Sequence, residues 1–329
     1  MKGKNLKING FKVIMAVFFM GILSCKEAPK EQSKDLDSVA VTATSDEPFF
    51  KLSLAQWSMH RMIRNEGVDP YSFAKKAKDW GFTGLEYVSG LYYDELKAAN
   101  FSKEAMDAFV EKNNAESKKY GMQNVLIMID GQGDLATPDA EKRKAAVENH
   151  FKWVDAAAAM GCHAIRVNLS GSKTPEEWIA SSVDGLTQLS TYAKDKNIEV
   201  LVENHGGLSS NAAMLAEVMT KVDMENCGTL PDFGNFCIER GEGGCVESYD
   251  PYQGISELMP HALAVSAKSN DFDAEGNEVR LDYNRILKIV KDAGYTGYIG
   301  VEYEGNVLSE EEGIIATRDL LLKAGKQLN

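Results

Sequence analysis

A short β-rich run followed by an amphipathic helical segment recurs along this chain, and no other feature limits its possible folds as much. The β runs are "KLSLAQW" (51–57), "FTGLEYV" (82–88), "MQNVLIMI" (122–129), "HAIRVNL" (163–169), "IEVLVEN" (198–204), "CGTLPDF" (227–233), "ALAVSAK" (262–268) and "YIGVEYE" (298–304). Helical patterns such as "DPYSFAKKAKDWG" and "YNRILKIVKDAG" lie between them, and several close on a glycine (Gly81, Gly121, Gly161, Gly294), as helix C-termini do. Successive β runs start about 30 to 40 residues apart, the length of a βα unit. Eight such units predict a (β/α)8 TIM barrel. The alternative, a doubly wound open sheet, needs a Gly-rich turn after its first strand to hold a nucleotide. "AQWSMHRMIRNEG" has none, so no nucleotide cofactor is expected.

The barrel domain is expected over 49–329, roughly 280 residues, the usual size for this architecture. Ahead of it stand Lys2, Lys4, Lys7 and Lys12, then "VIMAVFFMGIL", too short to span a bilayer as a mature helix, ending at Cys25 in "ILSC". This is the shape of a secretory signal, and small residues just before a cysteine resemble a lipoprotein cleavage site. The reading is a signal peptide over 1–25 with lipidation at Cys25, against an ordinary signal with an incidental cysteine. Residues 26–48 have few large apolar groups and read as a flexible linker. The chain would be exported and lipid-anchored, in the periplasm or on the outer-membrane surface, touching membrane only through that anchor.

The formal charge is −13, and loss of the leader with its four lysines makes it −17. Such a surface repels phosphate backbones, which excludes nucleic acid as an expected partner. In an oxidising compartment Cys237 and Cys245, flanking "IERGEGG", are placed to form a bridge. Cys162 and Cys227 each precede an apolar run and read as buried thiols.

In a (β/α)8 barrel, chemistry gathers at the C-terminal ends of the strands. Those ends carry Gln56, Trp57 and His60; Glu86 and Tyr87; Arg166 and Asn168; Glu203, Asn204 and His205; Asp232 and Asn235; Ser266 and Lys268; Glu302 and Glu304. Side chains alternate along a strand, so Glu203 shares a face with His205, Arg166 with Asn168, Ser266 with Lys268 and Glu302 with Glu304. Glu203, Asp232 and Glu302 are therefore expected to converge at one mouth. Bare carboxylates so close would repel one another, and a divalent cation relieves this. Oxygen donors suit Mg or Mn, with Zn admitted if an imidazole joins.

"VENH", "PDFGN" and "GVEYEG", in that order on the fifth, sixth and eighth strands, resemble the xylose isomerase-like TIM-barrel superfamily, the sugar isomerase and epimerase group. The resemblance covers about residues 51 to 325. It implies one metal ion held by Glu203, Asp232 and Glu302, together with a strand-seven histidine. That histidine is missing: the family's His-x-Lys-Asp is matched here by Ser266, Ala267, Lys268 and Ser269. Either His205 supplies the nitrogen or the Lys268 ammonium stands as the resident cation.

Such a site is expected to remove a proton α to a sugar carbonyl through an enediolate, giving isomerisation or epimerisation. The close alternative, implied by relatives in the superfamily, is β-elimination from a 3-keto-glycoside; a third reading is a carbohydrate-binding lipoprotein without catalysis. In the enzymatic readings His205 or Glu86 moves the proton and Lys268 polarises an oxygen. His60, Arg166, Asn168 and Asn235 position hydroxyls. Trp57, Tyr87 or Tyr303 would stack on the ring, though aromatics more often pack in cores. A sugar phosphate is disfavoured, since export and the lack of any Arg/Lys cluster in the sequence both argue against it. His150, His163 and His261 read as structural. A multi-zinc endonuclease is disfavoured by a total of five histidines, by the acidic charge and by the expected export.

Overall fold

The computed structural model describes residues 47–328. The signal peptide, Cys25 and nearly all of the linker read from the sequence lie outside the described residues.

Each of the eight β runs contains a strand of the barrel. These strands are β1 (Lys51–Ala55), β2 (Gly84–Val88), β3 (Gln123–Met128), β4 (Ala164–Val167), β5 (Glu199–Glu203) and β6 (Cys227–Leu230), then β9 (Val265–Ser269) and β10 (Tyr298–Tyr303). Between the sixth and seventh staves an antiparallel hairpin, β7 (Cys237–Gly241) and β8 (Gly244–Ser248), is inserted. All barrel pairs are parallel, in the order β6-β5-β4-β3-β2-β1-β10-β9. The ring closes through bridges Thr229–Ala262 and Asp232–Ser266, with Ser266 N donating to Pro231 O at 3.0 Å. Closure rules out the open doubly wound sheet, whose two edges would stay unpaired.

The helices form the outer layer. Lys103–Tyr120 and Ala140–Met160 end on Gly121 and Gly161, both left-handed at φ 65° and 71°, where any side chain would strain the backbone. Glu310–Gln327 starts on a reciprocal capping box between Ser309 and Glu312. Trp153, Trp178, Phe73 and Phe109 are fully buried between helices and sheet. Tyr87 and Tyr303 belong to this packed layer, 1% and 0% exposed, so neither can stack on a ligand.

Inside the barrel the filling is unusually polar. Ser53, Glu86, Arg166, Glu203, Asp232, Ser266, Lys268 and Glu302 are all buried. Buried charge is costly unless paired, so an interior like this marks the end of the barrel where chemistry is placed.

The hairpin was not foreseen as a pair of strands, because "CIERGEGGCVES" has neither an alternating apolar face nor enough large side chains. Cys237 and Cys245 are joined across it, Cα–Cα 5.7 Å. Cys162 is buried; Cys227, first residue of β6, is only partly so.

Candidate active site

A cavity of about 740 Å³ opens at the C-terminal mouth of the barrel, and its wall includes Trp57, Asp130, Arg166, His205, Asn235, Lys268, Glu302 and Glu304. Carboxylate oxygens of Glu203, Asp232 and Glu302 come within 4.8 Å of one another beside it, all three side chains buried.

Strand register explains the convergence. Glu302 on β10 pairs with Lys268 on β9, and Asp232 lies opposite Ser266. Glu203 ends β5 beside Leu230, two residues before Asp232. The turn "PDFGN" is held rigidly. Asp232 Oδ1 accepts from the amides of Gly234 and Asn235 at 2.9 and 2.8 Å, and Oδ2 accepts from Ser266 Oγ at 2.7 Å. Asn204, on the opposite face of its strand from Glu203, grips the same turn: its Oδ1 accepts from Asp232 N at 2.7 Å and its Nδ2 donates to Asp232 O at 3.0 Å. Asn204 thus positions Asp232 rather than touching a ligand.

Two cations stand among the acids. Arg166 Nε lies 2.7 Å from Glu203 Oε2, an ion contact without the alignment of a hydrogen bond, and Nη1 donates to Asp130 Oδ1 at 3.1 Å. Lys268 Nζ is 2.8 Å from Glu304 Oε2 and 3.7 Å from Glu302 Oε2. Trp57 donates to Glu304 Oε1 at 2.6 Å, and Asn235 to Glu203 Oε1 at 2.8 Å.

Burial pushes Asp232 up to about 7 despite Lys268, and Glu203 adds to the rise. Glu302 is driven well above the usual carboxylate range by burial, with Glu203 and Asp232 repelling its charge. Burial opposes charge on Lys268 too, yet Glu302, Asp232 and Glu304 outweigh it and hold the ammonium above its ordinary value. Burial likewise works against Glu304, but Lys268 beside it brings it below its ordinary value.

The donor set fits a hard cation. Three hard oxygen donors converge, and the buried Glu203 Oε2, though in ion contact with Arg166, accepts no aligned hydrogen bond. What differs from a four-ligand site is that Ser266 offers a hydroxyl already committed to Asp232. His205 lines the cavity but is exposed at its lip.

Two residues read as site groups are not brought to the cavity. Glu86 is 1% exposed inside the barrel and accepts from Ser53 Oγ at 2.6 Å; its carboxyl packs against the backbone of Gly300, where only a glycine leaves room. His60 stands behind Trp57, stacked on its ring at 4.5 Å, with Nδ1 near Trp57 O and Glu310 Oε1. The alternation that aims Glu86 inward is right, but Glu86 sits deeper in the barrel, among packed side chains. His60 begins a helix that turns its side chain outward. Asn168 lies beside the cavity wall and donates to Asp130 Oδ1 at 3.1 Å. His150 and His163 are remote, bonded to Ala146 O and Glu199. His261 sits on the short turn before β9.

Asp130 was missed. It is the first polar residue after "VLIMI", the same signal that singled out the other strand ends, and it faces the cavity with part of its carboxylate exposed. Arg64, Tyr93, Arg240 and Arg280 also line the cavity. They come from segments beyond the strand ends, where alternation gives no guidance.

Known proteins place this geometry in a family. The chain is similar to 3-keto-D-glucoside 4-epimerase from E. coli over 83% of its length and 98% of that chain, with TM-score 0.61 and 14% identity. A xylose isomerase-like TIM-barrel protein from Mycobacterium smegmatis, solved in complex with magnesium, aligns over 84% of this chain and 97% of that one, with TM-score 0.58 and 16% identity. At such identities the likeness is one of fold. A 54-residue stretch is 37% identical to the C-glycoside deglycosidase alpha subunit of Arthrobacter globiformis, spanning 16% of this chain and 15% of that subunit. Residues 74–324 match the family model described as xylose isomerase-like TIM barrel, and with most of the chain so matched this protein belongs to that family.

Proposed function

We propose that this protein transforms a keto-sugar by removing the proton α to its carbonyl, and that it does so as an isomerase or epimerase. The observation that carries the reading is the convergence of Glu203, Asp232 and Glu302 within 4.8 Å, with Glu302 and a charged Lys268 in the wall of a sugar-sized cavity. The sugar epimerase among its structural neighbours supports the same reading.

Glu203, Asp232 and Glu302 would hold one divalent ion, Mg or Mn by their hard oxygens, or Zn if His205 turns inward. Such an ion would supply Lewis acidity, making a proton next to a sugar carbonyl easier to remove. The remaining roles belong to the chain. Lys268, kept protonated by Glu302, Asp232 and Glu304, presents an ammonium to an oxygen that gains charge as the α-proton leaves. His205 is the one imidazole on the cavity wall among the described residues, so it is assigned the proton. Arg166 is locked by Asp130 and Glu203, and Asn235 by Glu203, so both offer fixed donors to hydroxyl groups. Trp57, pinned through its indole N–H to Glu304, borders the space a sugar would fill. Glu86 and His60 receive no role.

A second reading has its own support. The local match to a C-glycoside deglycosidase subunit favours β-elimination from a 3-keto-glycoside, in which the same α-proton is removed but the C1 substituent departs. For either reaction we further propose an exported, lipid-anchored protein held through Cys25.

Incubation of the protein with free ketoses and with 3-keto-glucosides in heavy water, followed by NMR, separates the cases. Solvent deuterium at the α-carbon with inverted or shifted stereochemistry supports isomerisation or epimerisation. Released aglycone supports elimination. Neither outcome leaves a binding protein and sinks the enzymatic reading. Metal analysis of the wild type and Glu203→Ala tests the ion separately, since no stoichiometric metal in the wild type removes it from the mechanism.

A further inference from the structure

None of the basic runs in the sequence, such as Lys142-Arg143-Lys144, stands at the end of a barrel strand, yet the fold gathers three arginines on one arc of the cavity mouth. Arg64 lies on the helix His60–Glu66 after β1, Arg240 on β7 and Arg280 in the segment after β9. The staves β6, β9, β10 and β1 are consecutive around the barrel, so the segments bearing these arginines rise from neighbouring positions. The two deeper cations are spoken for, Arg166 by Asp130 and Glu203, Lys268 by Glu302 and Glu304. The three outer ones are freer. Among the described residues the guanidinium groups of Arg64 and Arg240 have no carboxylate within salt-bridge distance, and that of Arg280 has only Asp271, at 3.7 Å. Arg64 instead stands 4.8 Å over the Trp57 ring, which fixes the direction of its guanidinium at no cost in charge. Gly90 lies beside both Arg64 and Asp130, so no side chain there fills the space between them and the cavity.

In a chain of net charge −13, two guanidinium groups without an acid partner and a third only loosely paired, all on the wall of the candidate-site cavity, need a reason. We infer that the substrate is an acidic sugar, carrying an anionic oxygen group (carboxylate, sulfate or phosphate) that Arg64, Arg240 and Arg280 receive at the mouth. This rests on the sugar reading above and narrows it. Guanidinium forks match the geometry of all three anions and bind them in pairs of hydrogen bonds. The acids deeper in the cavity repel the same group, so the charged end of the sugar stays outward and its uncharged carbons are delivered to Lys268 and His205. The expectation that no Arg/Lys cluster is available to hold a phosphate is thereby corrected, because the fold brings together arginines far apart in the sequence.

Calorimetric titration of the full chain, at about 50 mM salt where charge is weakly screened, tests this with gluco and galacto probes. Uronate, 6-sulfate and 6-phosphate are each compared with the neutral parent sugar. At least one anionic form is expected to bind tenfold or more tighter than its parent, and which one wins identifies the group. In Arg64→Gln/Arg240→Gln/Arg280→Gln that ratio falls to within about twofold, with circular dichroism confirming the fold, because all three side chains are exposed. Neutral sugars binding as tightly as acidic ones, or a preference that survives the triple variant, overturns the inference and leaves the sugar reading standing. Binding of neither form overturns both.

Discussion

Ser266 donates its hydroxyl proton to Asp232 Oδ2 at 2.7 Å, and the two residues face each other across the bridge that closes the barrel. The position at which the wider family is expected to offer an imidazole is thus filled by a short side chain that serves the neighbouring acid. Ser266→His would place a nitrogen donor next to three oxygen donors. Manganese or zinc affinity, measured by calorimetry, is expected to rise at least tenfold over the wild type. An unchanged affinity would mean that the three carboxylates do not act as a ligand set.

Arg166 is enclosed by Asp130, Glu203 and Asn168 and is 4% exposed. Removing one partner from a buried ion pair leaves an uncompensated charge, so Arg166→Gln is expected to cost about 3–5 kcal/mol of stability. Urea unfolding at pH 7.5 measures it. A loss below about 1 kcal/mol would show that the pair is solvated and weak.

Glu86 and His150 are buried groups that make stability depend on pH in opposite directions. Burial pushes Glu86 up to about 7 from 4.5, so the folded chain holds its proton where the unfolded chain has lost it. Stability from this group is present below about 4.5 and declines as pH rises to about 7, by on the order of 3 kcal/mol. Burial brings His150 down to about 4 from 6.5, so the folded chain refuses a proton that the unfolded chain accepts, and stability is lost as pH falls through that window. The two nearly cancel in the wild type. The difference between the wild type and Glu86→Gln is therefore the readout: from pH 4.5 to 7 the variant should gain relative to the wild type in denaturant midpoint. A constant offset across that window would rule out a protonated Glu86.

The Cys237–Cys245 bridge spans eight residues of an exposed hairpin. Local elements open without the barrel, so reduction should move the melting temperature by no more than about 2 °C. Amide exchange at 237–248 should accelerate at least tenfold, measured by mass spectrometry. A large fall in melting temperature would instead make the hairpin part of the cooperative core.

How much of this was legible beforehand varied with the range of the interactions involved. Strands, helices and glycine stops could be read because they follow from local periodicity and backbone preference. Glu203, Asp232 and Glu302 could be singled out because each ends an apolar run, and the same rule, applied to the third strand, would have found Asp130. Alternation set the inward face of Glu86 but not its depth, which depends on how far each strand is staggered against its neighbours. His60 was misplaced because a helix starts at that residue, and a period of two no longer applies.

By itself the sequence determined the eightfold βα repeat, the end of the barrel at which polar groups collect, and the identity of the three acids, all of which depend on residues close in the chain. Only the tertiary structure decided that Ser266 answers Asp232, that Lys268 lies between Glu302 and Glu304, and that Arg64, Arg240 and Arg280 share one wall. Those relationships join residues as far apart as Arg64 and Arg280, 216 positions, and they are set by strand stagger and barrel closure, for which no local pattern carries a signal.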